Sequence, residues 1–79
     1  MDTTILDKMF PKGSIPESYW EGCDYILVAM KEVGGESESE YWEKAGFFFA
    51  ETDKKDWGRH MIEIAQRIDR KNKREGRFQ

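Results

Sequence analysis

The strongest constraint on this chain is the apolar periodicity that follows residue 55. Trp57, Met61, Ile64, Ala65 and Ile68 recur at i, i+4, i+7, i+8 and i+11, which places all five on one face at 3.6 residues per turn. Arg59, Glu63, Gln66, Arg70, Lys73 and Arg74 fall on the opposite face. Such a helix is stable only if its stripe is covered. Asp53 stands where an N-cap is expected, and Asp56 adds negative charge in the first turn, where the macrodipole favours it.

A cover for that stripe lies immediately upstream. Ser37 with Glu40 three residues later reads as a capping box, with Ser39 a rival cap. Tyr41, Trp42, Ala45, Phe48 and Phe49 then share one helical face. Only Glu51-Thr52-Asp53 separates the two patterns, so the helices run roughly antiparallel with their stripes in contact.

Trp42-x-x-Ala45-Gly46-x-x-Phe49, followed by Gly58, Ile62 and Ala65, resembles the large/small spacing of a tetratricopeptide repeat. The resemblance implies a helical hairpin in which Gly46, Gly58 and Ala65 let two helices approach closely. Ala45 stands in place of the usual leucine, no proline closes the unit, and there is no second copy to stack on. The pattern covers less than half of the chain and is read as hairpin geometry, not kinship.

Upstream, Ser14-Ile15-Pro16-Glu17 reads as a helix start, with Ser14 as N-cap, Pro16 in the first turn and Glu17 completing a capping box. The helix would carry Tyr19, Trp20, Cys23, Ile26, Leu27, Met30 and Val33 on one broad apolar arc and stop at Gly34-Gly35. Gly22 is costly in a helix interior, by up to about 1 kcal/mol against Ala, unless a neighbour comes close. Ile5, Leu6, Met9 and Phe10 suit a short amphipathic helix, capped by Asp2 or Thr3 and ended by Pro11 and Gly13, or else an extended arm.

The expected architecture is therefore all-α: a single domain over 1–79, a small bundle of three main helices. Its parts are an arm or short extra helix at 1–13, helices at 14–33, 39–51 and 53–73, and a frayed basic tail at 74–79. Seventy-nine residues are near the small end for independent folding, and the three Trp, three Tyr and five Phe supply large apolar surface for that length. With one cysteine, Cys23, neither an intramolecular disulfide nor a cysteine-rich zinc site can form. No run approaches the eighteen or so apolar residues of a membrane span, and Met1-Asp2-Thr3-Thr4 lacks a basic signal-peptide start. A cytoplasmic protein without membrane association is the expectation.

Little in the chain suggests catalysis. His60, the only histidine, follows Asp56 by four residues and precedes Glu63 by three, so local carboxylates are its expected partners. A Cys23/His60 nucleophile pair would lack an orienting group and an oxyanion hole. Glu36, Glu38 and Glu40 lack the ligand pattern and central glycine of a calcium loop, and Gly34-Gly35 is not followed by the residues of a phosphate loop. No enzyme activity, metal or cofactor is expected.

Binding is another matter. Residues 1–50 carry four lysines against ten acids, a balance of −6, whereas residues 51–79 carry nine basic and six acidic residues, a balance of +3. Phe47 falls among Glu40, Glu43, Lys44 and Glu51, off the apolar face, and Tyr25 and Val28 fall on the acidic side of the preceding helix. Phe47 either packs under the arm of Ile5, Leu6, Met9 and Phe10 or awaits a partner. The expected function is a non-catalytic protein-binding module, an adaptor or inhibitor, with small inhibitors of phage or mobile-element type having this make-up. Its contact residues would be Tyr25, Val28 and Phe47 with Glu17, Glu21 and Asp24. The alternative is a nucleic-acid accessory protein in which Arg70, Lys71, Lys73, Arg74 and Arg77, on a continuing helix, track phosphates. A homodimer exchanging Phe47 and the arm is a third arrangement.

Overall fold

The structure, a computed structural model, describes residues 4–77. Among these residues it is all-α: α1 (Thr4–Met9), a 3₁₀ turn (Glu17–Tyr19), α2 (Trp20–Lys31), α3 (Glu38–Ala50) and α4 (Lys55–Arg74). The N-terminal segment is thus a short helix, not an extended arm. Its expected caps, Asp2 and Thr3, and the tail end Phe78-Gln79 lie outside the described residues. No described helix is long and apolar enough to cross a membrane.

The start of α2 differs from the expected residue 14. Ser14 is not an N-cap; Pro16 caps the 3₁₀ turn with an extended ψ of 145°, and α2 begins only at Trp20. A proline drives the residue before it out of helical conformation, so a helix containing Pro16 cannot reach back through Ile15 to Ser14. At the far end α2 stops at Lys31, two residues short of the expected 33, and Gly34 turns the chain in the left-handed region at φ 81°. Trp20 and Val33 leave the apolar arc: they are 55% and 70% exposed. Val33 lies past the last helical residue, and the Trp20 indole N–H donates to the Ile15 carbonyl at 2.8 Å.

Two further caps differ. Ser37 holds the N-cap position of α3 without a side-chain hydrogen bond, while the Glu38 carboxylate accepts the Gly34 N–H at 3.2 Å. Asp53 does not cap α4, whose N-cap is Lys54. The Asp53 carboxylate accepts the Tyr19 hydroxyl instead. Thr52 organises the turn: its hydroxyl donates to the Phe49 carbonyl at 2.7 Å and accepts the Lys54 N–H at 3.0 Å.

α3 is the central element, packed on α2 along one side and on α4 along the other. Ile26, Ala29, Ala45, Phe49 and Met61 are fully buried, with Leu6, Met9, Phe10, Cys23, Trp42 and Ala65 completing the core. Each large side chain so buried contributes about 1.5–3 kcal/mol. The α3–α4 seam closes on two glycines. A Cβ on Gly58 would lie 2.5 Å from the Ala50 nitrogen and 2.7 Å from the Gly46 oxygen, so only glycine admits this approach. Gly22 has an analogous reason to be there: a Cβ would meet the Phe48 ring and come within 2.7 Å of Phe49.

The N-terminal third is held to this hairpin by the α3–α4 turn. The Lys54 ammonium donates to the Met9 carbonyl at 3.3 Å and lies over the rings of Phe10 at 4.8 Å and Tyr19 at 5.6 Å. Tyr19 in turn stacks on Phe49, with ring centroids 6.0 Å apart. Asp53 and Lys54 together therefore clasp the end of α1 and the 3₁₀ turn.

Candidate protein-interaction face

The arm lies across the core and leaves Phe47 uncovered. Leu6, Met9 and Phe10 are buried, whereas Phe47 is 58% exposed. The reason is angular: Phe47 lies two residues from both Ala45 and Phe49, about 160–200° around α3 from the stripe that faces the core.

Phe47 borders a shallow groove of about 340 Å³ between α2 and α3, with Glu21 and Tyr25 on one wall and Lys44, Phe48 and Glu51 on the other. Tyr25 is half-buried rather than stranded: its ring packs on Tyr41, 6.3 Å between centroids, and its hydroxyl donates to Glu21 Oε1 at 3.0 Å. That hydrogen bond, reinforced by the negative charge of Glu21, raises the Tyr25 pKa above its ordinary value. Lys44 lies over the Tyr41 ring at 4.8 Å. The groove therefore combines the rings of Tyr25, Phe47 and Phe48 with the carboxylates of Glu21 and Glu51 and the ammonium of Lys44.

Of the six expected contact residues, the structure gathers Tyr25, Phe47 and Glu21 in this groove. Glu17 and Asp24 are exposed outside it, and Val28 is half-buried further along α2. Phe48, Lys44 and Glu51 belong to the groove but were not in the expected set. Their signal was available: Lys44, Phe47 and Glu51 recur at i, i+3 and i+7 on one helical face.

The basic candidates are arranged differently from the expected stripe. Arg70, Lys71, Lys73 and Arg74 are exposed on the last turns of α4. Arg77 is not on a continuing helix, because Gly76 takes φ 70° and turns the chain. Its guanidinium donates to the Gly34 carbonyl at 2.7 Å and lies 3.9 Å from the Glu75 carboxylate.

The two residues with nucleophilic or general-base chemistry sit in different environments. Cys23 is buried, and burial, followed by the charge of Asp24, raises its thiol pKa. His60 is exposed, and its ring meets Trp57 edge-on at 6.0 Å instead of pairing with Asp56 or Glu63. Among the described residues, no three His, Cys, Asp or Glu side chains converge as a metal site would require. No protein-family model, curated protein or solved structure matches this chain.

Proposed function

We propose that this protein is a non-catalytic binding module whose contact surface is the outer α2–α3 face, and that it acts by occupying a basic, apolar-studded surface of another protein. The observation that carries this reading is Phe47: a large aromatic, more than half exposed, in a groove shared with Tyr25 and Phe48 and lined by Glu21, Glu51 and Lys44. An exposed aromatic ringed by charge is how binding hot spots are built, the ring supplying affinity and the rim excluding water and selecting charge. Glu40 and Glu43 add negative charge on the exposed side of α3, so a partner with Lys or Arg around an apolar socket is favoured.

The test is affinity capture from native lysate with wild-type protein, Phe47→Asp and the double reversal Arg70→Glu/Arg74→Glu, each with and without nuclease. A single protein partner retained after nuclease, lost with Phe47→Asp and kept by the double reversal supports the reading. Capture that survives Phe47→Asp but disappears with nuclease or with the double reversal would transfer the function to the basic end of α4, as nucleic-acid binding.

A further inference from the structure

A second concave site lies on a different side of the molecule from Phe47. It has a volume of about 350 Å³, within the size range of small-molecule pockets. Met30 and Trp42 contribute from α2 and α3, Ile5 from α1, and Trp57 and Ile64 from α4. The two remaining lining residues are Lys8 of α1 and His60 of α4, both exposed. In a chain with 16 acidic against 13 Lys and Arg residues, no carboxylate lines this groove among the described residues.

We propose that this groove binds a free single-chain fatty carboxylate. The alkyl chain lies between Trp57, Ile64 and Ile5 over Trp42, where apolar area is removed from water. The carboxylate takes the exposed Lys8 ammonium and an imidazole N–H of the exposed His60 as donors. Both basic residues line the same groove, Lys8 from α1 and His60 from α4, so one head group can meet both. The neutral analogue forfeits that charge-assisted contact, and a cationic amphiphile is repelled. A bilayer is the poorer source for this ligand: the groove is a concave site lined from four helices rather than an extended apolar face, and the chain's net charge of −3 opposes an anionic membrane.

The experiment titrates decanoate, below its micellar concentration, into the full-length chain carrying Trp20→Phe, so that fluorescence reports on Trp42 and Trp57 alone. Calorimetry supplies the stoichiometry. The expected result is saturable one-to-one binding, weakened about tenfold or more by replacing decanoate with decanol. Lys8→Glu should weaken it by a similar factor, and His60→Glu carries the same test should Lys8→Glu disturb α1; circular dichroism establishes which variant remains folded. The absence of saturable binding, equal affinity for decanol, or indifference to both charge reversals overturns the proposal. A response seen only with anionic phospholipid vesicles also overturns it.

Discussion

Gly58→Ala is the most incisive perturbation of this fold, because helix propensity and packing pull in opposite directions. Alanine is worth about 1 kcal/mol more than glycine within a helix. Here its methyl would lie 2.5 Å from the Ala50 nitrogen, 2.7 Å from the Gly46 oxygen and 2.9 Å from the Ala50 Cα, all backbone atoms that cannot rotate away. Ordinary contact between such atoms needs about 3.5 Å, so α3 and α4 must part by roughly 1 Å, enough to forfeit a quarter to a half of each dispersion contact along the seam. Overpacking of this kind costs about 1–3 kcal/mol, and the absence of any movable side chain places Gly58 toward the upper end. The net expectation is a loss of about 1–2 kcal/mol, and each kcal/mol lowers Tm by about 4–8 °C in a domain of this size. Thermal and urea denaturation followed by circular dichroism measure it, with Gly22→Ala as the comparison. The atoms nearest a Cβ at Gly22 are side-chain atoms of the Phe48 and Phe49 rings rather than backbone, so its loss should be the smaller. An unchanged or raised Tm for Gly58→Ala would refute the close crossing.

Further outcomes follow from the contacts described above. Phe47→Asp should leave helicity unchanged and Tm within a few degrees of wild type, since the ring lies mostly in solvent; a collapse of the melt would return Phe47 to the core. Lys54→Met keeps the apolar stem but removes the charge over Phe10 and Tyr19, costing about 1–2 kcal/mol, and hydrogen exchange should show the α1 amides losing protection before those of α3. The hydrogen bond from Tyr19 to Asp53, reinforced by burial and by the Asp53 charge, raises the tyrosine pKa above 10.0. Its stabilising contribution is fully present below the unfolded value near pH 10 and is lost as pH rises through the folded pKa, so Tyr19→Phe should flatten the alkaline limb of a stability–pH curve.

The parts of the fold that were legible in the sequence are those governed by local periodicity. The α3–α4 hairpin could be read because two apolar stripes, over 41–49 and 57–68, flank a turn too short for any arrangement but antiparallel, although Tyr41 and Phe48 of the first stripe turn to Tyr25 and Gly22 of α2 instead. The start of α2 was misplaced because Ser14 and Glu17 have the spacing of a capping box, while the steric demand of Pro16 on Ile15 overrides it. Asp53 was misread for a different reason. Its capping preference is local, but the Tyr19 hydroxyl, 34 residues away, claims its carboxylate. Phe47 could be placed off the apolar stripe from spacing alone; that the arm would settle elsewhere depended on Lys54 holding Met9 and Phe10. The groove of Trp57, His60 and Lys8 joins residues from four helices, a juxtaposition that no single stretch encodes.

The clasp at Asp53 and Lys54 has a kinetic consequence. The hairpin is a local structure closed by a few residues, and structures of that kind assemble early. The anchor that fastens α1, by contrast, joins Lys54 to Met9 across 45 positions, so it can form only once the turn that presents Lys54 exists. Assembly therefore has an order written into it, with the hairpin as template and the N-terminal third as the last piece to dock. A protease cut within residues 11–14 should consequently release α1 while the hairpin stays folded, and mass mapping of the surviving fragment would show α3 and α4 still joined.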